Sequence, residues 1–181
     1  MIYSEKQMEE KVIMDTASRM CAAARTAPKT RGVDRITTLV LTGTEKDTLA
    51  DKMDEIAERE FKRETLFFSR FIQHAGNLRS AQAVVLIGVK RSYNGLKFCS
   101  YCGFESCEKC EEAGGRCAFN MIDLGIAMGS AVSIAADDRV DNRIMYSIGK
   151  AAVEMSYTDE PVSWIGIPIS ISGKNIFFDR K

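Results

Sequence analysis

The chain lacks several features that mark common classes of protein. It has one histidine in 181 residues, and its 25 basic residues (Lys and Arg) are balanced by 25 acidic ones (Asp and Glu). No excess of charge therefore indicates binding to nucleic acid or to an anionic membrane surface. A Ser-His-Asp order, a Walker loop and a dinucleotide glycine fingerprint are also missing. We therefore expect a redox protein, a small-molecule substrate or a second copy of the chain as partner.

Two marks of secretion are absent as well. The residues that follow Met1 include no apolar segment of the kind found in a signal peptide. The thiols are not scattered along a short chain, as they are in a disulfide framework. These two absences predict a cytoplasmic protein with reduced thiols. A chain of this length is expected to form one domain with a substantial core.

What the chain does have is a cluster of thiols. Five of its six cysteines follow one another in the pattern C-x2-C-x4-C-x2-C-x6-C. Such a density is rarely needed for packing, so we predict that these residues bind a metal or an iron–sulfur cluster. The five residues are Cys99, Cys102, Cys107, Cys110 and Cys117. Cys21 lies instead on an apolar helical stripe and is expected to pack as a small hydrophobic residue.

The spacing leaves the nature of the metal open. The run from Cys99 to Cys107 is similar to the first three ligand positions of a zinc knuckle, although the two C-x2-C pairs are closer together than in most zinc ribbons. Cys102-x4-Cys107-x2-Cys110 matches the plant-type iron–sulfur spacing, with Cys99 or Cys117 available as a fourth ligand. No histidine is nearby, which excludes a mixed zinc site or a Rieske centre locally. A set of reversible redox thiols, and inert packing or disulfides, are the remaining alternatives.

Helical and strand patterns alternate along the chain, which predicts an α/β (α+β layered) fold. Ser4 and Gln7 form the sequence of a capping box, so a helix should begin there and end before Pro28. Strands are predicted at 36–42, 83–89 and 162–169, and further helices after Gly43, at 118–136 and at 141–156.

Side-chain patterns predict what these elements bury. Leu49, Met53, Ile56 and Ala57 should face the core from one helix, and Ile144, Met145, Ile148 and Ala152 from another. The aromatic stretch with Phe67, Phe68, Phe71 and Ile72 is interpreted as core. Pro168 suggests an edge strand or a strand end.

The helix predicted at 118–136 is apolar nearly all round, and its polar residues argue against a membrane span. Gly125 and Gly129 are spaced for a close helix approach. We therefore expect this helix to be central and to lie at a subunit interface.

Three stretches carry a first resemblance. They are the run from Cys99 to Ala113, the pair Cys117-Ala-Phe-Asn and Asp123-Leu-Gly-Ile-Ala, and the closing segment from Gly166 to Arg180. Together they resemble a family of small bacterial and archaeal proteins described as containing a ferredoxin domain. The resemblance implies a four-iron (4Fe-4S) cluster held by Cys99, Cys102 and Cys107, with Cys117 or Cys110 as the fourth ligand. Backbone N–H groups of the Gly103 and Gly114-Gly115 turns would assist the thiolates.

A second resemblance concerns the scaffold. The run Ala22-Ala-Ala-Arg25-Thr-Ala27-Pro28, the small-residue helix and the late strand are similar to the layout of the flavin-dependent nitroreductase fold. That resemblance implies a homodimer, and a flavin (FMN) phosphate bound by a loop after the first helix and by a C-terminal arginine. The residues carried over are Arg25, Lys29, Arg31 and Arg180. A serine and an asparagine usual in that loop are absent here.

The sequence thus predicts a single nitroreductase-like domain, residues 1–181, with a Cys-rich ferredoxin-type insert at about 91–117. Its expected function is iron–sulfur electron transfer, coupled to a flavin if one binds. The alternative is a non-enzymatic module in which zinc fixes the cysteine loop. Activity as a flavin-dependent oxidoreductase stays open, because no catalytic residue can be assigned from the sequence.

Overall fold

A computed structural model describes residues 1–178, and it contains one antiparallel sheet between two layers of helices. The sheet has four strands in the order β1-β2-β4-β3. The strands are β1 (Ile36–Thr42), β2 (Ala83–Lys90), β3 (Asp141–Asn142) and β4 (Val162–Ser170). The helices are α1 (Glu5–Thr26), α2 (Gly43–Glu60), α3 (Leu66–Ser80), α4 (Cys107–Glu112), α5 (Ala118–Asp137) and α6 (Tyr146–Glu154).

Strand β2 is the centre of the sheet. Its Leu86 lies opposite Leu39 of β1 on one side and Gly166 of β4 on the other. All its residues except the last are buried, which confirms the prediction of a buried strand here. Successive side chains of a strand point to opposite faces, so β2 contributes to two cores.

The two cores lie on opposite faces of the sheet. Helices α1 and α5 cover the face that includes Val85 and Ile87, while α2, α3 and α6 cover the face that includes Val84 and Leu86. This arrangement confirms the predicted layered class. The cysteine segment leaves the sheet at the end of β2 and rejoins the fold at the start of α5, so the α1/α5 layer positions it.

The start of α1 is fixed by local chemistry. The Ser4 hydroxyl accepts a hydrogen bond from the Gln7 N–H at 3.3 Å, and the Gln7 side chain accepts one from the Ser4 N–H at 2.9 Å. This reciprocal pair satisfies two donors that have no partner within the helix. The predicted capping box is therefore confirmed.

Two glycines allow α6 to pack directly on β4. A Cβ atom at Gly149 would lie 1.9 Å from the Trp164 carbonyl oxygen, and one at Gly166 would lie 2.1 Å from the Ile148 side chain. Any larger residue at these positions would clash with backbone or with a buried side chain. At Gly149 the backbones of helix and strand therefore meet directly, and at Gly166 the strand accommodates the Ile148 side chain.

Several sequence predictions were wrong in detail. The helix predicted from position 141 begins at Tyr146, because residues 141–142 pair with β4 as β3, and Ile144 is exposed rather than inward. Phe67 and Ile72 lie on the outer side of α3, while Phe71 is buried as predicted.

β4 is not the edge strand, although β3 covers only its last two residues. Pro168 precedes that covered stretch, where an N–H is not needed for pairing.

Helix α5 has the predicted extent but not the predicted burial. One face packs on α1 and the sheet through Leu124, Ala127 and Ala131. The opposite face is open: Ile122 and Ile126 are each 41% exposed, and no other part of the described chain comes within 4 Å of a Cβ placed at Gly125 or Gly129. By length and composition alone this helix could also cross a membrane, although its packed face identifies it as a helix of the α1/α5 layer.

Candidate functional site

All five clustered cysteines line one cavity of about 240 Å³, which we call the cysteine cavity. Cys110 and Cys117 are buried, and the other three are partly buried. At its rim Tyr101 stacks on Phe119, with ring centres 5.4 Å apart. The fold thus brings together every residue predicted as a metal ligand. That these thiols bind a metal stays a prediction.

The short helix α4 carries two of the thiols. The Ser106 hydroxyl accepts a hydrogen bond from the Lys109 N–H at 3.2 Å, so the helix begins at Cys107. Cys110 lies three residues further on and therefore shares a face with Cys107. The helix ends before Gly114, whose φ of 69° suits glycine.

The glycine turns hold the loop rather than the sulfur atoms. The Gly103 N–H donates to the Ser100 carbonyl at 2.9 Å, and the Gly115 N–H donates to the Cys110 carbonyl at 2.7 Å. The Gly114 N–H donates to the Glu111 carbonyl at 2.9 Å. The expectation that these N–H groups assist the thiolates is therefore wrong in this structure. Their function here is to close the turns that bring the thiols to one cavity.

Cys117 has the donors that the glycine turns do not supply. It is the N-cap residue of α5, where backbone N–H groups are free of helical partners. Burial works against ionisation of its thiol, but N–H groups of Asn120, Asn94 and Phe119 outweigh burial and lower its pKa below the ordinary value. The Cys117 thiol therefore ionises more readily than an ordinary cysteine.

Cys110 is in the opposite situation. Burial, a hydrogen bond with Cys102 and the nearby Cys117 and Cys107 all raise the pKa of its thiol. Without a cation in the cavity, Cys110 therefore stays protonated more readily than Cys117. A bound metal would reverse this preference, because it stabilises the thiolate form of any cysteine that ligates it.

The five thiols share one cavity, but the structure does not gather them around one point. Among residues 1–178, no group of three or more His, Cys, Asp or Glu side chains is arranged to hold one metal ion. A structural zinc ion would draw four sulfur atoms to about 2.3 Å from one centre. An iron–sulfur cluster binds its thiolates at separate iron atoms. The five thiols line one cavity, and their all-sulfur donor set suits an iron–sulfur cluster or a zinc ion.

The basic loop, residues 25–31, lies at the end of α1. Arg25 pairs with Asp34 at 2.8 Å. The buried Lys29 ammonium donates to the Ala27 carbonyl at 2.7 Å and to carbonyls in the last turn of α1, so it caps that helix. Arg31 donates to the Asn94 carbonyl at 2.6 Å.

The structure thus places three of the four predicted phosphate-binding residues in one loop, and Arg180 lies outside the described residues. Lys29 is occupied by carbonyls, and Arg25 and Arg31 already have Asp34 and the Asn94 carbonyl as partners. Their role in binding an external oxyanion stays a prediction.

The basic loop and the cysteine cavity meet at the first turns of α5. Both the backbone N–H and the hydroxyl of Thr30 donate to the buried Asp123 carboxylate, each at 2.9 Å. Asn120, one turn earlier on the same helix, is buried beside Cys117. Sequence reasoning missed the roles of Asn94, Asn120 and Asp123. The signal was present in two polar residues that interrupt an apolar helix three positions apart.

Comparison with known proteins identifies the family. Residues 113–180 match a family described as "Uncharacterized protein containing a ferredoxin domain". An "Uncharacterized protein" from Archaeoglobus fulgidus is 40% identical over 188 residues, which cover 99% of this chain and 98% of that protein. The chain belongs to this family. The matched range contains Cys117 but begins after the other four clustered cysteines, so the match does not itself assign the ligands.

Solved structures show the fold. A nitroreductase with bound FMN from Desulfitobacterium hafniense is similar with a TM-score of 0.60 and 12% identity, covering 96% of this chain and 81% of that one. A BluB-like flavoprotein from Clostridium difficile has a TM-score of 0.60 and 14% identity, covering 100% and 86%. The FMN-dependent nitroreductase NfnB from Mycobacterium smegmatis has a TM-score of 0.58 and 12% identity, covering 88% and 78%. The chain therefore has a nitroreductase-like fold, as predicted.

Proposed function

We propose that this protein is a cytoplasmic iron–sulfur protein that transfers single electrons. The observation that carries the proposal is the cysteine cavity, a space of about 240 Å³ that all five clustered thiols line. When bound there, a four-iron cluster would take up one electron from a donor and pass it to an acceptor, which is a redox protein or a small-molecule substrate.

Four of the five thiols would serve as ligands. Cys99, Cys102 and Cys107 have the spacing of the ferredoxin-type motif, and Cys117 is prepared as a thiolate by the N–H groups at the start of α5. Cys110 is the buried alternative for the fourth position. Either residue can complete the set, because a bound metal stabilises the thiolate form of the cysteine that ligates it.

FMN is the proposed second redox group. The support is a fold shared with proteins described as binding FMN, together with the basic loop. Arg25, Arg31 and Arg180 would contact the flavin phosphate, and Lys29 would add its charge from the helix end. The basic loop is bonded to α5, and α5 also carries Cys117 of the cysteine cavity. This helix would therefore hold the FMN and the cluster in a fixed relative position.

We also propose that the protein is a homodimer. The open face of α5 carries Ile122, Ile126, Gly125 and Gly129, and the described chain itself does not cover it. A second copy of the same helix would bury these residues, and the two glycines would permit close approach of the helices. Removal of this apolar face from water supplies the driving force.

Anaerobic purification followed by analysis of iron, acid-labile sulfide, zinc and flavin tests the proposal. A brown protein with about four iron and four sulfide per chain is expected for a four-iron cluster. A colourless protein that contains zinc and no sulfide would contradict it and support the zinc-stabilised module instead. A yellow, fluorescent supernatant after denaturation would show that flavin was bound.

Single substitutions locate the ligands. Cys107→Ser and Cys102→Ser should abolish metal binding, because a hydroxyl replaces a thiolate ligand poorly. Cys21→Ser is the matched control, since Cys21 lies in the α1/α5 core and does not line the cysteine cavity. Full metal content in Cys107→Ser would exclude the proposed site. Cys110→Ser and Cys117→Ser, compared directly, identify the fourth ligand.

A further inference from the structure

Asn94 lies between the cysteine cavity and the basic loop. It follows β2 and is only 3% exposed, although it carries a fully polar side chain. A buried amide has to find partners for its donors and its acceptor, or it destabilises the fold. The partners of Asn94 come from three separate parts of the chain.

On the cavity side the Asn94 amide acts as a donor. Its Nδ2 lies 3.6 Å from the Cys117 Sγ and 3.2 Å from the Asn120 Oδ1. Asn120 in turn donates its own Nδ2 to the Ser92 carbonyl at 2.7 Å. The Asn120 Oδ1 is therefore left to accept from Asn94.

On the loop side Asn94 acts as an acceptor. Arg35 Nη1 donates to the Asn94 Oδ1 at 3.2 Å, and Arg31 Nη1 donates to the Asn94 carbonyl at 2.6 Å. A guanidinium can only donate hydrogen bonds. The Asn94 Oδ1 must therefore face Arg35, and the Nδ2 must face Cys117. The chemistry of the partners fixes the orientation of the amide.

We infer that Asn94 is a positioning residue that makes the electron affinity of a cluster in the cysteine cavity depend on what Arg31 and Arg35 bind. This inference rests on the proposed iron–sulfur function. An N–H group directed at a ligand sulfur stabilises negative charge there, so it favours the reduced cluster. Arg35 holds and polarises the side-chain amide that supplies this N–H group, and Arg31 holds the backbone carbonyl of the same residue.

The coupling has a definite sign. An oxyanion bound to Arg31 and Arg35 competes with Asn94 for their N–H groups, so it loosens the amide and makes the cluster harder to reduce. Because coupling between two sites is reciprocal, reduction of the cluster weakens binding of the oxyanion by the same factor. Inorganic phosphate is a sufficient probe, since the recognised chemistry is that of a phosphate group.

The experiment is a potentiometric titration of the anaerobically purified protein with dithionite as electron donor. Asn94→Asp retains the shape of the side chain and the acceptor for Arg35, but it has no N–H to offer Cys117. Asn94→Leu removes donor and acceptor without adding charge. Both variants should shift the one-electron reduction equilibrium about tenfold towards the oxidised cluster, in line with the loss of a hydrogen bond to a charged group.

The matched control is Asn77→Leu, because Asn77 belongs to α3 in the opposite layer and does not line the cysteine cavity. It should leave the reduction equilibrium unchanged. Phosphate, compared with chloride at equal ionic strength, should shift the parent protein towards the oxidised cluster and shift Asn94→Leu much less.

The outcomes separate the inference from the proposed function. A parent protein without iron and sulfide would overturn both. A parent protein with a reducible cluster, whose potential is unchanged in both Asn94 variants, would overturn the inference alone. An equal phosphate shift in Asn94→Leu and in the parent would show that phosphate acts through space and not through Asn94. Absence of a phosphate shift in the parent would likewise overturn the coupling.

Discussion

Gly115 lies directly against Cys110, so that a Cβ atom at position 115 would be 2.7 Å from the Cys110 Sγ. The same atom would be 2.9 Å from the Phe104 ring and 3.0 Å from the Cys110 carbonyl oxygen. The Gly115 N–H also donates to that carbonyl. The end of α4 and the thiol it carries are thus packed without room for a side chain.

Gly115→Ala should therefore displace Cys110 and reduce the iron content of the purified protein. The steric conflict should cost about 1–3 kcal/mol in the free energy of unfolding, measured by urea titration. Gly76→Ala is the control, because Gly76 lies in α3 with no neighbouring atom within 4 Å of its Cβ position. That control should be neutral or stabilising, since alanine favours a helix. Equal iron content in parent and Gly115→Ala would contradict the prediction.

The open face of α5 predicts the effect of a larger residue on assembly. Gly129→Leu should shift the protein from dimer to monomer in light scattering, because the leucine would overpack a helix contact by about 1–3 kcal/mol. The fold of each subunit should survive, since no other atom of the described chain lies near the Gly129 Cβ position. Val153→Leu, at an exposed position of α6, is the control. A monomeric parent protein would remove the proposed dimer.

The single histidine predicts a pH dependence of stability. The His74 Nδ1 lies 2.7 Å from the Ser147 Oγ, and its buried Nε2 has no hydrogen-bond partner among residues 1–178. Burial, with Arg143 and Arg70 nearby, lowers the pKa of His74 from 6.5 to about 4. Above pH 6.5 the ring is neutral in both states. As the pH falls from 6.5 to about 4, the unfolded chain binds a proton that the folded chain does not, so stability declines.

Urea unfolding at pH 7 and pH 5 measures this effect. The parent protein should lose more stability over that interval than His74→Gln, because no other histidine is present. Ser147→Ala retains the imidazole and should keep the pH dependence. An equal loss in the parent and in His74→Gln would mean that another group is responsible.

Local patterns explain what the sequence could predict. The capping box of Ser4 and Gln7, the alternating elements and the clustering of the cysteines each depend on residues close together in the chain. For the same reason five thiols within one segment could be expected to meet in one cavity. The turns of Gly103 and Gly114 were expected as well, but not the acceptors of their N–H groups.

Contacts between residues far apart in the chain explain what the sequence could not predict. Arg31 is 63 residues from Asn94, and Thr30 is 93 residues from Asp123, so these bonds follow from the packing of α1 and α5. The exposure of Ile144 depends on the pairing of β3 with β4, which takes the chain out of a helical path. One sequence gives no direct signal for either kind of contact.

The basic loop leads to the last prediction, which concerns FMN. Arg180→Ala should weaken FMN binding by several-fold to about a hundredfold, as expected for the loss of a hydrogen bond to a charged group. Arg31→Ala should have an effect in the same range, and it should also loosen Asn94. Equilibrium titration of the flavin-free protein with FMN measures both.

Arg63→Ala is the matched control for loss of one positive charge, because exposed Arg63 pairs with Glu58 between α2 and α3 and lies outside the basic loop. It should leave FMN affinity unchanged. If Arg63→Ala and Arg180→Ala weaken FMN binding equally, the net charge of the protein and not a phosphate site determines the affinity for FMN. If the parent shows no saturable binding at micromolar protein, the likeness to FMN-binding proteins is one of scaffold only, and Arg25 is then an ordinary surface partner of Asp34.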